Sequence, residues 1–354
     1  MASFKHFRVV LTLAMFLPAA GLVAKEHRAA LTRPGMTTLT GAGSTFIAPL
    51  VDHWIEAYRN AHPDVAIAYH AVGSSEGIDR FLNGSVDFAA TDGGTTAEQI
   101  ARMDRGVRFI PAAIGGVVLA YNVKGVKAGL KLTREVYVDI FLGRIKTWDD
   151  PRIKAINPDL PLPREAILPV VRLDGSGTTY AFTNHLAAIS QAWKQGPGVG
   201  RSVGWPGDAM QARGNDGVAG RIKISEGAIG YVEYGFAQRL GLPMAHLENR
   251  AGRFAAPEAS RIAKVFETSV DQMPADLRQY IPDPAGEEAY PIVTYSWLVL
   301  YGAYPHPYEA NGRALKAFVH YCLTQGQADS EALGYVPLPG PVAELAQKAL
   351  ASVE

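Results

Sequence analysis

VAIAYHAVGSSEGIDRFLNGSVDFAATD (residues 65–92) is the stretch on which the fold turns. Val65 to Val72 is a strand-length run with β-branched and aromatic residues. Ile78, Phe81 and Leu82 then share one helical face, which Gly84 ends. Val86-Asp87-Phe88-Ala89-Ala90 is a second apolar run, closing at Thr91-Asp92. Upstream, Ile47, Leu50, Val51, Trp54, Ile55 and Tyr58 recur at helical spacing. Pro49 falls in the first turn of that helix, where its missing N–H costs little. Thr38 to Thr40 reads as a short strand before it. The order β-α-β-α-β predicts an α/β fold whose sites lie beyond the carboxyl ends of its strands.

The pattern continues downstream. Ile114 to Asn122 reads as a strand, followed by a turn-rich stretch from Leu142 to Pro151. Ile167 to Val171 is a strand ending at Arg172, and a helix carries Phe182, Leu186, Ile189 and Trp193. Gly227 to Val232 enters another strand, and Ile292 to Tyr301 is rich in β-branched and aromatic residues. Leu315, Phe318, Val319 and Cys322 form a core-facing helical stripe. Pro337, Pro339 and Pro341 mark a turn before a last helix from Val342. No internal repeat is visible.

A length of 354 residues suggests roughly two domains. The 36 glycines and 23 prolines require many turns. Lys+Arg and Asp+Glu balance at 34 each, which argues against a broad nucleic-acid-binding surface and confines any anion site to a local cluster. Lys5, His6 and Arg8 precede an apolar stretch from Val9 to Ala24, short of the ~20 residues a membrane span takes. Residues 1–24 are therefore read as a secretory signal, with Leu22 a mediocre fit to the cut site and an uncleaved anchor as the plain alternative. Cys322 is the one cysteine, so no internal disulfide can form, and none lies near the end of the signal for lipid attachment. The expected location is the periplasm.

Three Gly/Ser/Thr turns each open a helix: Gly41-Ala42-Gly43-Ser44-Thr45-Phe46, Gly73-Ser74-Ser75-Glu76-Gly77, and Asp174-Gly175-Ser176-Gly177-Thr178-Thr179 with Arg172 just before it. Such turns offer unpaired N–H groups, hydroxyls and the positive end of a helix dipole to an anion. Thr45 and Phe46, Ser74 and Ser75, Ser176 and Gly177 would supply donors to one small tetrahedral oxyanion. Arg172 would add a two-pronged contact. Asp92 repels an anion unless the ligand carries a proton to donate, which phosphate does at neutral pH and sulfate does not. Asp92 would thus select phosphate by accepting that proton, and Arg172 could pair with Asp92 and keep it ionised. Each element also has a plain reading: the serines and threonines as helix N-caps, Asp92-Gly93-Gly94 as a simple turn, Arg172 as a surface ion pair.

Other motifs fail on context. Gly200-Arg201-Ser202-Val203-Gly204 matches a nucleophile elbow but lacks the strand before and the helix after it. Gly41-Ala42-Gly43 lacks the third glycine of a dinucleotide fingerprint and the lysine of a P-loop. The nine histidines show no paired ligand spacing, and Tyr304-Pro305-His306-Pro307-Tyr308 reads as a rigid turn. No metal site, cofactor or catalytic residue is expected.

With LTGAGSTF (39–46), GSSEG (73–77), VDFAATD (86–92), IGGVVLAYN (114–122), LGRIKTWDDP (142–151), VVRLDGSGTTYAFT (170–183), GNDGVA (214–219), GAIGYVEY (227–234) and LGYVPLP (333–339), the chain resembles the periplasmic phosphate-binding proteins of high-affinity phosphate ABC importers over nearly its whole mature length. That resemblance implies a type II periplasmic-binding-protein fold: two α/β lobes joined by a two-strand hinge, lobe I at 38–112 plus 290–354 and lobe II at 113–289, closing on one dehydrated phosphate. It implies Thr45, Phe46, Ser74, Asp92, Arg172, Ser176, Gly177 and Thr178 as phosphate ligands. It also implies membrane permease subunits as partners of a monomeric, non-catalytic carrier. Two departures bear on affinity: Glu76 stands where the family commonly has a small residue, and Asp92-Gly93-Gly94 replaces its usual Ala/Xaa-Pro-Leu continuation, an expected looser loop. A secreted phosphoester hydrolase with Ser176 as nucleophile and a carrier of arsenate remain alternatives. Against the hydrolase, no His or Lys base adjoins Ser176 and no metal cluster is visible.

Overall fold

The computed structural model describes residues 35–354; the signal read in residues 1–24 lies outside them. The first four strands are β1 (Thr37–Gly43), β2 (Val65–Ala71), β3 (Phe88–Thr91) and β4 (Val107–Asn122), with helices α1 (Ala48–Ala61) and α2 (Ser74–Leu82) between them. They are followed by β5 (Leu168–Arg172), α3 (Gly177–Ile189), β6 (Met210–Ala212), α4 (Gly214–Ile224), β7 (Ala228–Glu233) and β8 (Val293–Tyr301). Helices α5 (Glu309–Leu323) and α6 (Gly340–Ala351) close the chain.

These strands form one eight-stranded sheet in the order β2-β1-β3-β8-β4-β7-β5-β6. Strand β1 runs parallel to β2 and β3, and β7 parallel to β5, as right-handed crossovers through helices demand. The long strand β4 holds the sheet together. Its first part, to Gly116, pairs antiparallel with β8, and its second, Val117 to Asn122, pairs antiparallel with β7. Where it changes partner, Val117 donates its N–H to Ile292 O at 2.9 Å. The two halves of the sheet, each flanked by helices, are the two α/β layers that the resemblance leads one to expect.

Both faces are covered, so the strands read as unbroken apolar runs: every residue of β8, β7 and β3 is buried. Large aromatics fill the layers, and the indole N–H groups of three buried tryptophans find backbone partners. Trp54 donates to Gly326 O at 2.7 Å, Trp148 to Gly227 O at 3.0 Å, and Trp297 to Leu277 O at 2.7 Å. Cys322 is fully buried on α5, as its helical stripe predicts.

Differences from the sequence reading are local. Gly41-Ala42-Gly43 is the end of β1 rather than part of a turn. Gly43 is required there: its φ is +144°, and a Cβ would lie 2.1 Å from Ala90 O on the neighbouring strand. The strand read from Ile114 begins at Val107, because its first half is the lobe that pairs with β8. Trp193 lies on a separate short helix, Gln191–Gln195, since Ser190 ends α3 and caps the next segment through Trp193 N–H at 3.2 Å. A small sheet of Lys131–Leu132, His246–Glu248 and Phe254–Ala255 escaped the sequence reading, since strands of two or three residues carry no periodicity.

Candidate functional site

Every candidate residue sits at or just beyond the carboxyl end of a strand. Ser44, Thr45 and Phe46 follow β1, Ser74 follows β2, Asp92 follows β3, and Arg172 ends β5. Ser176, Gly177 and Thr178 form the loop into α3. All of the side chains are buried, from fully for Ser74 and Thr178 to 6% exposed for Thr45. The structure brings the eight sequence-predicted residues together, at the starts of α1, α2 and α3, in two hydrogen-bond networks that meet along Ser176-Gly177-Thr178.

The cluster joins loops from the two halves of the sheet. Ser74 Oγ accepts the N–H of Gly177 at 3.1 Å and that of Asp92 at 3.5 Å. Ser75 donates its N–H to Gly175 O at 2.9 Å. Thr45 Oγ1 accepts the backbone N–H of Asn215 at 3.1 Å and its side-chain Nδ2 at 3.0 Å. Gly177 lies so close to Asp92 that a Cβ would come within 2.6 Å of the Asp92 Cβ and Oδ2.

Asp92 is 1% exposed. Ser44 Oγ donates to it from 2.7 Å, equidistant from both carboxylate oxygens, and Ser296 Oγ donates to Oδ1 at 2.7 Å. Burial pushes its pKa from 3.8 up to about 6, against the hydroxyls of Ser44 and Ser296 and the positive charge of Arg172, which favour the ionised form. At neutral pH it is a desolvated carboxylate among donors.

Arg172 departs from one expectation: it does not pair with Asp92. Its guanidinium fork is taken by Asp174 through Nε at 2.9 Å and through Nη2. The reason is local, because a residue two positions on at the turn lies closer than one on another strand. Asp174 also accepts the Gly214 N–H at 3.0 Å. Burial would raise the Asp174 carboxyl, but the hydrogen bonds and charge of Arg172 outweigh it and hold the pKa below its ordinary value. Nη1 of Arg172 points to Thr178 Oγ1 at 3.5 Å. An aromatic stack sets this loop from behind. Phe182 and Trp205 pack on Tyr231 at 4.6 and 5.5 Å, and the Tyr231 hydroxyl accepts the Arg172 N–H at 3.1 Å and bonds Thr179 Oγ1 at 2.7 Å.

Ser176 does cap α3, accepting the Thr179 N–H at 3.1 Å, which leaves its own proton to donate. Further along α3, the buried His185 is held by Tyr137 at 2.8 Å and Pro282 O at 2.6 Å, and burial lowers its pKa to about 4. It is therefore a neutral packing residue. Among the described residues no group of three or more His, Cys, Asp or Glu is placed to hold a metal.

Both sequence departures have structural accounts. Glu76 turns outward and pairs with Arg80 at 2.9 Å, at 54% exposure. The Gly93-Gly94 loop is pinned, not loose: a Cβ on Gly93 would meet Tyr180 at 2.8 Å and Tyr280 at 2.9 Å. Ser44, Asp174, Asn215 and Ser296 were missed as site residues. Asn215 lies inside the quoted GNDGVA motif, and Ser296 is a lone serine in an apolar strand; neither signal states a contact.

A family model described as a PBP superfamily domain matches residues 28–325. The phosphate-binding protein PstS of Methanocaldococcus jannaschii is 36% identical over 341 residues, covering 90% of this chain and 87% of that protein. The phosphate-binding protein PstS of Pasteurella multocida is 35% identical, covering 88% and 89%. Among solved structures, a high-affinity periplasmic phosphate-binding protein (PfluDING) bound with phosphate superposes with a TM-score of 0.72 at 21% identity, covering 88% of this chain and 93% of that one. A phosphate-binding protein from Stenotrophomonas maltophilia gives 0.69 at 19% identity, covering 88% and 93%. At those identities the structures speak to the fold.

Proposed function

This chain belongs to the PBP superfamily and, within it, to the PstS phosphate-binding proteins, and we propose that it binds inorganic phosphate between its lobes and delivers it to an ABC importer. Asp92 carries the reading: a buried carboxylate in a nest of donors is tolerable beside an anion only if that anion brings a proton. Around it, Thr45, Phe46, Ser74, Ser176, Gly177 and Thr178 would donate to the phosphate oxygens, with Arg172 as their cation. Arsenate carries protons too and would fit the same logic.

We place the lobe boundaries at 38–112 plus 290–354 and 113–289. The change of partner along β4 supports two bodies with a hinge there. Thr45, Phe46, Ser74 and Asp92 then face Arg172 and Ser176 to Thr178 from opposite lobes, so the ligand biases a hinge equilibrium toward closure. The protein would work as a periplasmic monomer, handing phosphate to permease subunits without chemistry on it. The alternative of a hydrolase with Ser176 as nucleophile gains no support, since among the described residues that hydroxyl caps α3 through the Thr179 N–H and is hydrogen-bonded to no His or Lys.

Titration calorimetry with phosphate and sulfate tests the reading. One phosphate per chain and weak sulfate competition are expected; equal binding of both anions overturns the selectivity argument.

A further inference from the structure

We infer that Asn215, which lies outside the eight expected ligands, sets the polarity of two hydroxyls that face the ligand and so decides that the site accepts an anion. This rests on the phosphate-binding reading. Asn215 is fully buried at the N-terminus of α4. Its Oδ1 accepts the Glu233 N–H at 3.0 Å, and this fixes which way the amide points, because an NH2 group turned toward that N–H would oppose donor to donor. Glu233 is itself anchored, its carboxyl oxygens capping the next helix through the N–H groups of Gly235 at 2.7 Å and Phe236 at 3.2 Å.

With the amide oriented, both hydrogens of Nδ2 are committed: one to Thr45 Oγ1 at 3.0 Å, the other to Thr178 Oγ1 at 3.2 Å. Thr45 Oγ1 also accepts the Asn215 backbone N–H at 3.1 Å, so both of its lone pairs are filled. Thr178 Oγ1 accepts Arg172 Nη1 at 3.5 Å besides the amide. A hydroxyl has two lone pairs and one proton. With its lone pairs occupied it can only donate, and an acceptor-rich oxyanion is the partner that suits it. One buried amide thus turns two ambivalent hydroxyls, one from each lobe, into obligate donors and links the lobes while doing so. It is a positioning residue, acting through Thr45 and Thr178.

The test is a thermodynamic cycle read by phosphate calorimetry. It compares wild type, Asn215→Ala, the Thr45→Val/Thr178→Val double variant and the combination of all three, each checked for a cooperative melt. Asn215→Ala should weaken phosphate binding about tenfold or more, and should cost nearly nothing further once the two hydroxyls are gone. If the losses simply multiply, Asn215 is only packing and the inference fails. If Asn215→Ala no longer melts cooperatively, Asn215→Ser takes its place in the cycle. Failure of wild type to bind phosphate would sink the functional reading instead.

Discussion

Ser44 donates its hydroxyl to Asp92 from 2.7 Å, equidistant from both carboxylate oxygens, while its own oxygen accepts the Phe46 N–H at 3.0 Å. The loop after β1 is thereby tied to the one carboxylate that would read the ligand's proton. Replacing Asp92 with Asn removes the acceptor charge and supplies an amide donor. Sulfate binding should appear or strengthen, and phosphate should weaken by about 10- to 100-fold, the worth of a charge-assisted hydrogen bond. Calorimetry with both anions checks this. Unchanged selectivity in Asp92→Asn would remove Asp92 from the mechanism.

Selectivity should also depend on pH. With its pKa raised to about 6, Asp92 gains a proton as the solution is acidified through that value and becomes a donor that sulfate can accept. The phosphate-to-sulfate affinity ratio should therefore fall as pH drops from 7.5 to about 5. A flat ratio across that range would contradict the assignment.

Stability without ligand should decline as pH rises through neutrality, for a different reason. Burial raises the Glu233 carboxyl from 4.5 to about 8, so the folded state holds that proton more tightly than the unfolded chain. A raised carboxyl contributes stability below its ordinary pKa and loses it as pH rises through the folded value. Asp92, at about 6, loses its contribution at lower pH, and His185, lowered from 6.5 to about 4, acts with the opposite sign between those two values. From pH 6.5 to 8 Glu233 acts alone of the three, and the Tm should fall there. Glu233→Gln should flatten the decline in a thermal scan.

Gly177→Ala should separate closure from folding. The added methyl would meet the Asp92 Cβ, Oδ2 and N at 2.6 to 2.7 Å, and hinge opening relieves a clash across the lobes. Phosphate affinity should drop by more than about 100-fold while Tm without ligand moves little. Small-angle scattering should show an open form even with phosphate present. Wild-type affinity would mean that the two loops do not meet in solution.

Asp174→Ala should expose the dependence of Arg172 on its partner. Both side chains are buried, at 1% and 7% exposure, and removing one partner of a buried pair costs about 3–5 kcal/mol. Phosphate, as a substitute anion, should raise the Tm of this variant by more than it raises that of wild type. Equal shifts would show that the guanidinium is not at the ligand.

The fold was legible because its signals are local. Val65 to Asp92 announces strand, helix and strand through spacing alone, and the turns at Thr45, Ser74 and Ser176 follow from where Gly, Ser and Thr break that spacing. The turns after β1, β2 and β5 and the end of β3 were placed for the same reason, since the run of a strand and the turn that ends it are local in the sequence. What escaped was pairing. Arg172 looks equally able to reach Asp92 or Asp174, and Ser296 and Asn215 look like ordinary polar residues.

By itself, then, the sequence determined the α/β alternation, the three donor-rich turns and the presence of an acid, Asp92, at a strand end. Tertiary structure alone decided that Ser296, some two hundred residues downstream, donates to Asp92, that Asp174 takes the fork of Arg172, and that Asn215 spans the lobes to Thr45. Hydrogen-bond partners depend on distances of a few tenths of an ångström between segments far apart in the chain, and only the packed sheet sets those distances.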